Sequence, residues 1–175
     1  MMQVIAIAVM SLDGYITRHN EEGVAFASLA DQRFFRAALT EFDCCVFGAN
    51  TFEISQTEIL RHLAPERLRI VLTRSPEKYS AFHHLDALEF TDAPPEVVLA
   101  DLRQRGKQRC AILGGSEMYT MFFERHLVDE LWLTIEPRLF GAGKRLIGGR
   151  LDASLRLMTH VLLAENTLLL TYAVN

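Results

Sequence analysis

Apolar residues in this chain come in two rhythms. Gln3-Val-Ile-Ala-Ile-Ala-Val9 is β-branched and apolar on both faces, the mark of a strand covered on both sides. Phe34, Phe35, Ala38, Leu39 and Phe42 then step at helical spacing. Asp43–Gly48 reads as a short buried strand ending at a glycine. Asn50-Thr51-Phe52-Glu53 reads as the capping-box start of a second helix. Leu68–Thr73 is a third strand and Leu85–Phe90 a weaker fourth. Asp92, Pro94 and Pro95 open a helix that Gly106 closes. Arg109–Leu113 is a fifth strand running into Gly114-Gly115-Ser116, and Met118, Tyr119, Phe122 and Phe123 return to helical spacing.

Strands and helices thus alternate up to residue 127, which predicts a largely parallel sheet. Beyond that point the pattern changes. Glu130–Glu136, Leu155–Leu162 and Leu168–Val174 are strands with no helix between them. Leu155, Leu157, Thr159 and Val161 fall on one side with period two, as do Leu168, Leu170, Tyr172 and Val174. Glu165-Asn166-Thr167 predicts a closing hairpin, and Gly141-Ala142-Gly143-Lys144 a glycine-rich hairpin loop. The fold class is α/β: a mixed, mostly parallel sheet flanked by helices, with antiparallel C-terminal strands. No repeat, linker or low-complexity segment divides residues 1–175, so one domain is expected.

Composition narrows the partners. Half of the 175 residues are apolar, enough for one sizeable core, and the net charge is −4. There is no basic footprint for nucleic acid or for an anionic membrane surface. Arg103-Gln-Arg-Gly-Lys107 reads as a helix end, where basic side chains complement the dipole. Cys44, Cys45 and Cys110 lie in apolar runs without metal-like spacing, which suits a reducing compartment. No signal peptide or membrane span is recognisable, and a cytoplasmic location is expected. His83-His84 has no partners at ligand spacing, so no metal is expected.

Two strand ends carry glycine followed by a helix start: Gly48-Ala-Asn-Thr51 and Gly114-Gly-Ser-Glu117. Glycine lets backbone N–H groups approach a ligand closely, and the helix N-terminus behind favours a phosphate. Ligands of open α/β sheets bind just beyond the carboxyl ends of the strands, so the pair together suits a dinucleotide. Each glycine alone is equally a tight turn. Asp31 is the candidate catalytic carboxylate; as the partner of Ser28 it is also a plain helix-start acid. Asp13 suits a turn with Gly14. Glu136, before Pro137, faces either a cleft or solvent. Trp132, Phe34 and Phe35 read as core.

Five motifs then occur in order: Ser11-Leu-Asp-Gly-Tyr-Ile16, Gly48-Ala-Asn-Thr-Phe-Glu53, Ile70-Val-Leu-Thr-Arg74, Leu113-Gly-Gly-Ser-Glu117, and the run from Val128 to Lys144. Together they resemble the dihydrofolate reductase superfamily. The likeness is greatest to the C-terminal reductase domain of the bifunctional riboflavin-biosynthesis deaminase-reductases. The resemblance implies NADPH as hydride donor, with the nicotinamide beneath the Ser11–Ile16 loop. It implies Gly48, Asn50 and Thr51 against one part of the cofactor, and Thr73, Arg74 and Ser75 near the adenosine ribose. Gly114, Gly115, Ser116, Glu117 and Met118 would cradle the pyrophosphate. Ser11, Asp13 and Glu136 fall on the side of a small-molecule substrate. The resemblance also implies a homodimer, to which the apolar C-terminal hairpin and Trp132 would contribute.

Three features depart from the pattern. The zinc deaminase half is missing, Leu113 stands where riboflavin-pathway members often carry Glu, and Ala49 where dihydrofolate-reductase-like relatives have Arg. A dihydrofolate-type or other heterocycle reductase, and a non-catalytic NADPH-binding paralogue, therefore stand as alternatives to the riboflavin-pathway reductase.

Overall fold

The strand that the sequence marks first lies well inside the sheet. In the computed structural model, which describes residues 2–175, β1 (Gln3–Ser11) pairs in parallel with β5 (Arg109–Ile112) on one side and β6 (Glu130–Glu136) on the other. Outward from β5 lie β2 (Cys44–Gly48), β3 (Leu68–Leu72) and β4 (Leu88–Thr91), all parallel. Outward from β6 the direction reverses. β8 (Thr167–Val174) pairs antiparallel with β6, and β7 (Leu155–Ala164) antiparallel with β8. The sheet order is β4-β3-β2-β5-β1-β6-β8-β7.

Helices cover both faces of the parallel half, which is why its strands are apolar on both sides. Val4, Ala6, Val46, Ile70 and Ile112 face α3 (Pro95–Gln104) and α4 (Ser116–Glu124) in one core layer. Ile5, Ile7, Phe47 and Val71 belong to the other layer, against α1 (Leu29–Leu39) and α2 (Ala49–Arg61). The three cysteines are free and buried in these layers. A short 3-10 helix, Pro76–Phe82, was not foreseen. It brings Tyr79 and Phe82 onto Phe52, and Phe90 completes the aromatic cluster at ring distances of 5.0–5.7 Å.

Four expectations are corrected. Asn50–Glu53 is no capping box: α2 starts at Ala49, straight from the strand, and Glu53 instead accepts hydrogen bonds from Tyr79 and Lys78. Gly141–Lys144 is no hairpin loop, because β8 lies between β6 and β7 and the intervening chain must cross over. β7 has no buried side. All but one of its residues are exposed, and register shifts at Leu157/Thr159 and Leu162/Ala164 break the alternation. The first helix ends at Leu39, so Phe42 lies beyond it and packs on Trp132 at 5.7 Å between ring centres.

Phe52 is fully buried at the centre of the aromatic cluster. Phe52→Ala is expected to cost about 3–5 kcal/mol, because three facing rings cannot collapse into the void. Chemical denaturation with an unchanged slope and a lowered midpoint checks this.

Candidate functional site

At the carboxyl ends of β2 and β5 the chain passes into helices without any side-chain cap. Gly48 is the N-cap of α2 and Gly115 of α4, and neither helix has a side chain bonded to its first-turn N–H groups. Uncapped N–H groups at a helix start are an anion site in waiting. The two turns are tied together, since the Gly48 N–H donates to the Gly114 carbonyl at 3.0 Å. Gly114 has φ +91°, and a Cβ there would press on the Tyr119 ring at 3.0 Å. At Gly115 the nearest atom to a Cβ is Thr51 Oγ1, 4.0 Å away. A larger side chain at Gly115 would stand in the space between the two turns.

That space belongs to one groove of about 2190 Å³. A single small-molecule pocket measures roughly 300–1,000 Å³, so this open groove is larger than one such pocket. Gly48–Thr51, Thr73–Ser75 and Gly114–Met118 all line it, so the structure brings together every residue the sequence reading gave to the cofactor. The Thr73 hydroxyl accepts from the Ser75 N–H, a local turn from which Arg74 projects, exposed. Toward the other ends of β2 and β3 the groove meets Arg36, Arg67 and Arg69. Arg69 is only 6% exposed, and its guanidinium donates to the carbonyls of Arg67 and His62. Among the described residues no carboxylate lies within salt-bridge distance of it. The sequence reading missed these three arginines, because nothing local distinguishes them from surface charge.

Ser11, Asp13, Asp31 and Glu136 do not line the groove. The first two are engaged in a clasp. Asp13 accepts from the Ser11 hydroxyl at 2.6 Å, the Phe140 N–H at 3.0 Å and the Gly141 N–H at 2.7 Å. The loop after β1 is thereby laced to the crossover after β6, with further bonds from Leu12 to Arg138 and from Ile16 to Lys144. Gly143 is required there: a Cβ would collide with the Thr17 carbonyl oxygen. Both loops border the groove through Ile16, Thr17 and Lys144.

Asp31 is 7% exposed in the first turn of α1. It lies one helical turn before Phe35, which lines the groove on the same helix face. Ser28 caps the helix by accepting from the Asp31 N–H. The reciprocal bond of a capping box is missing: the Ser28 N–H donates instead to Glu136 at 2.8 Å. Burial pushes the Asp31 carboxyl above the usual aspartate range; Thr134 opposes the shift and the Glu136 charge adds to it. Thr134 Oγ1 is buried and makes no hydrogen bond of good geometry. Strand alternation could have found Thr134, which shares a face of β6 with Glu136. Tyr119 also escaped notice as anything but core. Its hydroxyl donates to the Ile7 carbonyl at 2.6 Å, and the residue lines the groove.

No cluster of His, Cys, Asp and Glu among the described residues could hold a metal ion. No helix among them is long and apolar enough to cross a membrane.

Comparison with known proteins gives this geometry a context. Residues 2–169 match the family described as the RibD C-terminal domain. A Shewanella sp. PV-4 protein named for riboflavin biosynthesis superposes with a TM-score of 0.76 at 23% identity, over 99% of each chain. The Thermotoga maritima diaminohydroxyphosphoribosylaminopyrimidine deaminase/5-amino-6-(5-phosphoribosylamino)uracil reductase superposes at 0.79 with 17% identity. The match covers 99% of this chain and 57% of that one. Enterococcus faecalis dihydrofolate reductase, complexed with NADP(H) and RAB-propyl, superposes at 0.69 with 19% identity over 99% and 96% of the two chains. The fold is therefore dihydrofolate-reductase-like. Among curated proteins the sequence finds no match.

The clasp yields a prediction. Its hydrogen bonds, the Ser11 hydroxyl's first, hold the Asp13 carboxyl below the usual aspartate range. The clasp is then intact at neutral pH and weakens only as pH falls through that lowered value. Asp13→Asn is expected to speed hydrogen exchange at the Phe140 and Gly141 amides at neutral pH, while amides of β1 keep their protection.

Proposed function

The chain belongs to the RibD C-terminal domain family, and on that premise we propose that it is an NADPH-dependent reductase. Its reaction would be most like that of 5-amino-6-(5-phosphoribosylamino)uracil reductase. The observation that carries this reading is the pair of uncapped helix starts, Gly48 and Gly115, side by side on one groove. The open space at a Gly115 Cβ fits a pyrophosphate held by backbone N–H groups. Gly114–Met118 would hold that group, Gly48–Thr51 the nicotinamide side, and Thr73–Ser75 the adenosine ribose. Arg74 is the guanidinium for a 2′-phosphate, in the absence of an arginine at Ala49.

Bound NADPH supplies a hydride. The chain's own task is to hold the substrate's accepting double bond in line and to deliver one proton to its heteroatom. Asp31 suits that proton, since its raised affinity keeps it protonated further up the pH scale. Arg36, Arg67 and Arg69 give the groove positive charge. A dihydrofolate-type substrate is the second reading. Asp31 favours it too, because a buried carboxylic acid is suited to protonating a ring nitrogen.

The same proposal includes a homodimer in a cytoplasmic setting. Leu157, Val161 and Leu162 are exposed on β7, an edge strand with no other described strand paired to its outer side. A second copy of this chain is the occupant proposed for it. The three buried free thiols suit a reducing compartment.

Two measurements test the reading. NADPH is expected to raise the melting temperature more than NADH does, because a ligand of the native state stabilises it by mass action. Arg74→Ala should shrink that difference, and Gly115→Val should abolish binding of both. Equal shifts with the two cofactors would remove Arg74 from its role, and binding without turnover on any pyrimidine or pterin acceptor would favour the non-catalytic alternative. For assembly, light scattering at tens of micromolar is expected to give twice 19.8 kDa; a monomer mass would overturn the dimer.

A further inference from the structure

Glu136 is among the most buried charged side chains of the molecule, 2% exposed, and the cofactor groove does not reach it. Burying a carboxylate is costly unless donors surround it. Here both oxygens have one: Oε1 accepts from the Ser28 N–H at 2.8 Å and Oε2 from the Thr167 hydroxyl at 3.1 Å. Those donors come from the start of α1 and the start of β8. One side chain at the end of β6 therefore joins three elements. The bond to Ser28 also sets a negative charge at the N-terminus of α1, where the helix dipole favours it.

The column of β6 explains what is being held. Trp132, Thr134 and Glu136 alternate onto one face of the strand. Phe34, Asp31 and Ser28 are spaced by three along one face of α1. The two sets meet in order: Phe34 on Trp132 with ring centres 6.3 Å apart, Asp31 beside Thr134, and Ser28 bonded to Glu136. Asp31 sits at the middle of this docking, its own N–H already taken by Ser28 Oγ. Any slip of the first turn would carry the Asp31 carboxyl with it.

We propose that Glu136 is a positioning residue, which anchors the first turn of α1 through Ser28 and so holds the Asp31 carboxyl in place against β6, beside the groove. This rests on the reading of Asp31 as the proton donor, and adds the group that maintains it. The titratable groups coupled to Asp31 are Glu136 from β6, whose charge raises it, and Tyr119 from α4, which Asp31 raises in turn. Tyr119 is spoken for by the Ile7 carbonyl, and burial drives its phenol well above the usual tyrosine range, so it stays neutral through the working pH range. Glu136 is thus the neighbour whose charge bears on the Asp31 proton. Nothing local in the sequence gives Glu136 such a role, since Ser28 and Thr167 lie 108 and 31 residues from it.

The test is Glu136→Gln, which keeps the shape and removes the charge. Titration of the chain without cofactor, followed by the 13C resonance of the Asp31 carboxyl, is expected to show its midpoint lowered, because the neighbouring negative charge is gone. With NADPH and 5-amino-6-(5-phosphoribosylamino)uracil, the high-pH fall in kcat should move down by the same amount, and the KM for NADPH should stay unchanged. An unmoved Asp31 midpoint in folded Glu136→Gln overturns the proposal, even if the protein melts earlier. A moved midpoint with an unmoved pH profile supports the coupling and instead removes Asp31 as proton donor. Should Glu136→Gln fail to fold, Glu136→Asp carries the test: it retains the charge but is one methylene short of Ser28. Its Ser28 amide is expected to exchange about tenfold faster than in the parent, and unchanged exchange overturns the anchoring.

Discussion

A strand repeats its face every two residues, about 6.6 Å, while a helix returns to its face after three, about 4.5 Å. Two such elements stay in step over only a few contacts. The docking of α1 on β6 uses the available contacts with three different chemistries: an aromatic pair at Phe34 and Trp132, a carboxyl beside a hydroxyl at Asp31 and Thr134, and a backbone N–H on a carboxylate at Ser28 and Glu136. The aromatic end sets the depth of the helix. The polar end sets its rotation and its axial position, because a hydrogen bond tolerates less displacement than an apolar contact. The place of the Asp31 carboxyl beside the groove depends on that docking.

The opposite end is built on a different rule. There the backbone itself lines the groove, and side chains act mainly by being absent. Gly48 and Gly115 leave helix starts open, and the Gly114 carbonyl holds the two turns together. The parallel half of the sheet supplies this geometry, since its strands all deliver their helices from the same edge. The change to antiparallel pairing falls at β6 and β8, so the glycine turns after β2 and β5 and the buried acids against β6 lie on either side of β1.

Much of the fold was legible because parallel strands announce themselves as apolar runs ending in glycine or a helix start. β6 is the clearest case, foreseen at Glu130–Glu136 and found there. The glycine segments were legible for the same reason, and they do line one groove. Sheet order was less accessible: nothing local in Leu155–Ala164 says that β8 will lie between it and β6. The capping box at Asn50 failed because the pattern of residue types was right but the helix had already begun at Ala49. Asp31 was visible as a helix-start acid, whereas its environment depends on Thr134 and Glu136, more than 100 residues away in sequence. Arg69 carried no signal, since a buried arginine and an exposed one look alike until β3 is seated beside α2.

The position of β8 has a consequence for the order in which the chain is made. β7 reaches the sheet only through β8, yet it is synthesised first. Until Thr167–Val174 have been added, a growing chain carries Leu155–Ala164 without a partner, an apolar strand with neither edge nor face occupied. The same interval leaves Glu136 without the Thr167 hydroxyl. The segment from β1 to α4 has all its own strands by residue 124 and can begin to assemble on the ribosome. The surroundings of Glu136 must wait for the last strand, so a chain interrupted late in translation would present formed glycine turns beside an unpaired Glu136 oxygen and a sticky ribbon for chaperones to shield.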